Sequence, residues 1–190
     1  MEFYFNFQKA YQYICSSKLN PMKKIIISCL FVIIGISTVS AQEFNKKYFD
    51  KRAGREILID HCNRAGLEEG AFGQVYANQY AAYSPNTDAI NSLKPMLENI
   101  TIKMVFGSWC YDSKMQVPRF MKVLDEIGFD ENQMSIIGVD RMKKPQEASI
   151  DGLKIRYVPT FIVYREGVEI GRIVENPKKS LEQDLLKILQ

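Results

Sequence analysis

Histidine is almost missing from this 190-residue chain, with His61 its only example. A zinc site usually needs four ligands drawn from cysteine, histidine and carboxylates, so a lone histidine argues against one. No histidine stands near Cys110 in the sequence, which argues against a Cys–His nucleophile. No metal and no cofactor are expected. Cysteine is also scarce. Of the four, Cys15 and Cys29 fall within residues 1–41, leaving Cys62 and Cys110 behind them. Excess charge of either sign is lacking too. The 25 basic and 22 acidic residues include Lys9, Lys18, Lys23, Lys24 and Glu2 in that same leading stretch, so 21 of each sign remain beyond it. A neutral domain offers no electrostatic case for nucleic acid or an anionic membrane surface. The chain carries no phosphate-binding glycine loop, no paired carboxylates at catalytic spacing, no internal repeat and no low-complexity segment.

What is present suits one globular domain: 46% hydrophobic and 25% charged residues in a length that can bury a real core. Lys23 and Lys24 precede an apolar run from Ile25 to Ile36, and the small residues Ser37, Thr38, Val39, Ser40 and Ala41 follow. This is the three-part pattern of a secretory signal, predicting residues 1–41 as a signal peptide cut between Ala41 and Gln42. The run of about a dozen residues is short against the roughly 20 a membrane span needs. An uncleaved membrane anchor is the alternative. Met22 opens a typical signal by itself and is the expected start. An exported, periplasmic protein in an oxidising compartment is the expectation.

Residues 42–99 read as an amino-terminal extension with the first strand and helices, and 100–190 as the core. Gln42 to Arg55 is polar and predicts a loosely held lead-in. Ile57–Ile59 reads as a strand, Phe72 to Tyr83 as a helix, and Thr87 or Asp88 as the cap of a helix through Leu97. Ile100–Phe106 alternates and then turns fully apolar, as a buried strand does. A helix is expected from Ser113 to Ile127, ended by Gly128. Met134–Val139 reads as a strand and 143–152 as a polar loop. Phe161–Tyr164 and Val168–Val174 form a hairpin through Arg165-Glu166-Gly167. Ser180 caps a last helix, Leu181 to Leu189. This order implies an α/β protein, a mixed central β-sheet flanked by helices on both faces.

A strand ending in Trp109-Cys110, with a helix starting two or three residues later, resembles the thioredoxin arrangement. Lys114 and Met115 follow as in many thioredoxins, Pro118 stands where that family kinks its active-site helix, and Val158-Pro159-Thr160 resembles its cis-proline segment. Arg156 and Gly167 fall at familiar spacings around it. The resemblance covers roughly Ile100 to Gln190 and implies a thioredoxin-like fold. The amino-terminal half looks like that of thioredoxin-like proteins from Bacteroidetes-type bacteria. The motif Trp109-Cys110-Tyr111-Asp112-Ser113 departs from the family in one respect: Ser113 stands where the second cysteine belongs, giving a CxxS variant. The family's buried carboxylate six residues before the first cysteine is replaced by Met104.

The resemblance implies Cys110 as nucleophile, at a helix start whose dipole favours the thiolate. Ser113 is expected to hydrogen-bond the Cys110 thiolate, and Asp112 to repel it. Val158, Pro159 and Thr160 would hold a substrate backbone beside the sulfur, flanked by Trp109 and Tyr111. Mixed-disulfide exchange or isomerisation on exported proteins that carry cysteines or disulfides is the implied chemistry, completed by an external thiol reductant or by the substrate's own second cysteine. Two alternatives stand beside it. One is a non-catalytic module that binds exported peptides. The other is a two-thiol oxidoreductase in which Cys62 resolves the adduct from a distance, provided its Cα comes within about 7 Å of that of Cys110.

Overall fold

The computed structural model describes residues 43–52 and 54–190. The expected signal segment and its expected cut after Ala41, with Cys15 and Cys29, lie outside the described residues. Six strands, β1 (Lys46–Asp50), β2 (Arg55–Cys62), β3 (Ile100–Phe106), β4 (Met134–Gly138), β5 (Thr160–Arg165) and β6 (Val168–Val174), form one sheet in the order β1-β2-β4-β3-β5-β6. β3 and β4 run parallel, and every other neighbouring pair is antiparallel. The helices are α1 (Arg64–Leu67), α2 (Gly70–Ala82), α3 (Thr87–Leu93), α4 (Tyr111–Ile127) and α5 (Leu181–Leu189). The α/β class and mixed sheet expected of the sequence are what the chain forms. Among the described residues no helix is long and apolar enough to cross a membrane.

Alternation along β3 decides how the layers stack. Ile100, Ile102, Met104 and Phe106 face a large core shared with Leu58, Cys62, Ile136, Phe161 and the apolar stripes of the helices, including Phe72, Leu93, Phe120 and Leu185. Residues from both sides of position 99 therefore share one core. Val105, Ile137, Val139 and Val158 face the opposite side, where Ala148, Ile150, Leu153 and Ile155 cover them. The expected helical layer on that second face is absent among the described residues. An irregular segment between β4 and β5 fills the place, because its few apolar residues suffice to cover a cluster this small.

Two other expectations change. The lead-in is not loose: Lys46–Asp50 is β1, paired residue for residue with Arg55–Ile59. Its pattern was unreadable because Tyr48 and Phe49 both stay exposed, so main-chain pairing rather than a buried face holds it. The cap of α3 is Asn86, whose side chain accepts from the Ala89 N–H at 2.9 Å, and the helix tightens into a 3₁₀ turn at Lys94–Met96, where Pro95 lies. Gly128 ends α4 at φ +74°. Its N–H reaches the Asp125 carbonyl and the Phe129 N–H reaches that of Leu124, so these two carbonyls of the last turn are satisfied.

Candidate functional site

β3 delivers its chain to the sheet end at Phe106, and the next four residues turn into α4. Cys110 is the N-cap of that helix. Its N–H bonds the Gly107 carbonyl at 2.8 Å and its carbonyl accepts from the Lys114 N–H at 3.1 Å. Two contacts brace the turn. Ser108 Oγ accepts from the Leu58 N–H at 2.9 Å, and the Trp109 indole donates from Nε1 to the Val139 carbonyl at 2.9 Å. Gly107 has to be glycine for this packing, since a Cβ there would lie 2.6 Å from the Trp109 ring. The Arg141 guanidinium stacks over that ring at 5.1 Å and pairs with Asp50 at 2.6 Å.

The Val158–Pro159 peptide bond is cis, and it meets the cysteine directly: the Cys110 thiol donates to the Val158 carbonyl at 3.2 Å. Thr160 Oγ1 turns back to the Tyr157 carbonyl at 2.7 Å, and the Pro159 carbonyl accepts from the Glu175 N–H at 2.8 Å, so both sides of this segment are fixed. Val158, Pro159 and Thr160 are buried, Cys110 and Trp109 are half-buried, and Tyr111 is 72% exposed beside them. Trp109, Cys110, Val158 and the following strand thus converge. Tyr111 stands at the rim, with Tyr157 53% exposed just before the cis bond.

Ser113 departs from its expected contact. It is fully buried, and its Oγ accepts from the Gly107 N–H at 3.2 Å. The hydroxyl is spent on the main chain of its own turn, whose N–H would otherwise be an orphan. The Cys110 sulfur turns instead toward Val158. Asp112 is drawn aside as well. Asn176, in the loop after β6, donates to Asp112 Oδ1 at 3.2 Å and accepts from Gln116 at 2.7 Å.

Cys62 does not join this group. It is 3% exposed in the large core, facing Met104 and Ile136, whereas Cys110 packs with the cluster of the other face. Both thiols are free. Burial pushes the Cys62 thiol up to about 12, and the nearby Asp60 charge adds to that. This placement overturns the distant-resolving role: Cys62 is enclosed in the core of one face, while Cys110, at the start of α4, packs with the cluster of the other. His61 packs edge-on against Phe44, with ring centroids 6.4 Å apart. Among the described residues no cluster of His, Cys, Asp and Glu could hold a metal.

Asp60, Arg141 and Asn176 escaped sequence reasoning. Asp60 adopts φ +62° inside β2 and is 2% exposed; its Oδ1 accepts from three successive main-chain N–H groups, Gln146, Glu147 and Ala148, at 2.7, 2.7 and 3.0 Å. That bond set pins the segment covering the second face. No local signal announces it, since the partners lie more than 80 residues away.

No family model matches the chain. Thioredoxin AMT13 of Alternaria alternata is 25% identical over 97 residues, 51% of this chain and 77% of its own length. A thioredoxin of Mycolicibacterium smegmatis is 28% identical over 90 residues, 47% of this chain and 72% of its own. Among solved structures, a mutant thioredoxin from Halobacterium salinarum NRC-1 aligns over 56% of this chain and 83% of its own at 14% identity and a TM-score of 0.33. Thioredoxin f2 of Chlamydomonas reinhardtii aligns over 45% and 78% at 18% identity and a TM-score of 0.29. The chain is thioredoxin-like, a likeness that its sequence relatives support.

Proposed function

We propose that this protein carries out thiol–disulfide exchange on exported proteins through a single active-site cysteine, Cys110. The observation that carries the reading is the pairing of an accessible thiol at a helix start with the cis Val158–Pro159 segment, 3.2 Å away, while Cys62 is buried on the far side of the sheet. The likeness to thioredoxins supports thiol–disulfide chemistry in general; the single-thiol form follows from Ser113.

The reaction runs in three balanced exchanges. Cys110 loses its proton to solvent, and with it the bond to Val158. The thiolate attacks one sulfur of a substrate disulfide, that S–S bond breaks, and the departing substrate thiolate takes a proton from water. The mixed disulfide cannot be resolved from within, because serine forms no disulfide. An external thiolate attacks the Cys110 sulfur and forms a new disulfide with it as the substrate leaves with its second thiol; a second external thiolate then attacks the first one's sulfur and frees Cys110. The freed Val158 carbonyl is then available to an extended substrate's N–H, with Trp109, Tyr111, Pro159 and Thr160 around it. Export rests on the charge, apolar run and small residues of positions 23–41.

A second reading, a binding module indifferent to the thiol, draws on the exposed rim of Tyr111 and Tyr157. Trapping decides between them. With a peptide carrying an activated disulfide, the exchange reading expects a covalent adduct at Cys110 and none in Cys110→Ser. Equal peptide retention by both proteins, without adduct, would establish the module instead.

A further inference from the structure

Beside the candidate site lies a cleft of about 270 Å³ whose wall carries three cations, Lys47, Arg55 and Lys114. Glu56 and Glu69 line it too, leaving one positive charge in balance, and Glu69 is taken up by Lys47 at 3.8 Å. Among the described residues neither Arg55 nor Lys114 has an acidic partner within ion-pair distance. The two cations nevertheless crowd each other: burial first, then the Arg55 charge, hold the Lys114 ammonium below its ordinary value, while Cys110 acts in the opposite sense. Two like charges facing one cleft with only the Glu56 carboxylate, unpaired among the described residues, to offset them repel each other, and a bound anion relieves that repulsion. The first turn of α2 opens into the same space, with no side chain capping its N–H groups.

The cleft is joined to the cysteine through the chain on either side of it; Cys110 itself does not line it. Ser108 lines it two residues before Cys110, and Lys114 lines it one helical turn after, its N–H bonded to the Cys110 carbonyl. We propose that this cleft binds the carboxylate of a small anionic thiol, with Arg55 and Lys114 as its recognition groups, and that this molecule is the external thiol that releases substrates from Cys110. The inference rests on the single-thiol reading above and names its reductant by chemical class. The bound thiolate attacks Cys110 sulfur, the substrate thiolate leaves and is protonated, and a Cys110–small-thiol disulfide forms. A second small thiolate attacks the small molecule's sulfur and frees Cys110. Overall, one substrate disulfide is reduced to two thiols and two small thiols are oxidised to one disulfide.

The test uses the full chain with Cys15→Ser and Cys29→Ser. Cys110 is loaded with a neutral pyridylthio group, and release by 3-mercaptopropionate is compared with release by 2-mercaptoethanol at equal thiolate concentration. The anionic thiol should be faster by about tenfold or more, should saturate, and should be slowed by propionate as a competitor. The ratio of the two rates should fall toward one in Lys114→Gln and in Arg55→Gln. A ratio near one in the parent chain, or one that neither substitution moves, overturns the proposal. Calorimetric titration of propionate into the Cys110→Ser chain tests the cleft without the reaction: binding that Arg55→Gln abolishes supports it, and absence of binding refutes it. If Cys110 fails to load, or neither thiol releases the group, the single-thiol reading fails and the titration alone decides the cleft.

Discussion

The Cys110 sulfur donates its proton to the Val158 carbonyl across 3.2 Å, joining the start of α4 to the residue before cis Pro159. The bond exists only while the sulfur is a thiol, since a thiolate has nothing to donate. Attack on a disulfide therefore requires deprotonation and release from Val158 together. Cys110→Ser keeps a donor at this place and should keep the fold while abolishing adduct formation. Cys62→Ala, which trims a core side chain, should leave adduct formation intact and cost about 1 kcal/mol of stability. Mass spectrometry of trapped adducts and a urea titration check both.

Alkylation of the folded protein at neutral pH should mark Cys110 and spare Cys62. Burial that pushes Cys62 up to about 12 leaves on the order of one molecule in 10⁵ as thiolate at pH 7, and its 3% exposure blocks the reagent as well. Peptide mapping after a short pulse, before and after addition of denaturant, should show Cys62 labelled only in the second sample.

Ser113→Cys should restore two-thiol chemistry. The position is one helical turn from Cys110, so mild oxidation is expected to join Cys110 to the introduced thiol in a disulfide, with loss of two free thiols in a thiol count. The opposite change, Ser113→Ala, orphans the buried Gly107 N–H and should lower stability by about 1–3 kcal/mol. Denaturant midpoints measure that loss.

Gly107→Ala should disturb Trp109 before anything else. The added methyl would sit 2.6 Å from the indole ring, which has to swing away and drop its bond to the Val139 carbonyl. Overpacking of this kind costs roughly 1–3 kcal/mol. Trp109 is the only tryptophan in the sequence, so a red shift and altered intensity of the native fluorescence report the change directly.

Two buried carboxylates set the acid limit of the fold. For Asp60, burial pushes the carboxyl up, but the N–H groups of Glu147, Ala148 and Gln146 and the Lys46 charge outweigh it and hold the group below its ordinary value. For Glu182, burial is likewise outweighed, here by the Ser180 hydroxyl, the Asn86 N–H and the Tyr83 hydroxyl. A depressed folded-state pKa contributes stability that is full above the unfolded value and is lost as pH falls through the folded one. Stability should therefore hold at neutral pH and decline below about pH 4. Asp60→Asn should flatten part of that decline and raise hydrogen exchange at residues 146–148, because an amide nitrogen at the orphaned, buried Oδ2 position has no acceptor to meet.

Much of the carboxyl-terminal half was legible because its signals are local. The alternation of Ile100–Phe106, the Gly128 stop and the Ser180 cap each depend on neighbours a few residues away, and β3, β6 and α5 appear at the expected bounds. The edge strand β1 was hidden because Tyr48 and Phe49 break the alternation that a half-buried strand would display. The contact of Ser113 was misassigned for a related reason. Its spacing to Cys110 is a sequence fact, whereas the direction of its hydroxyl depends on the course of the turn back to Gly107.

By itself the sequence determined the α/β class, the strand–turn–helix around Trp109 and Cys110, and the lack of a second cysteine in the motif, since these follow from residue identity and short-range periodicity. The tertiary structure alone decided that Cys62 and Cys110 lie on opposite faces of the sheet, that Cys110 leans on Val158 rather than Ser113, and that Arg55 and Lys114 share one cleft. Each of these joins residues far apart or fixes a side-chain direction, and such relations depend on strand register and packing between elements, which local pattern does not encode.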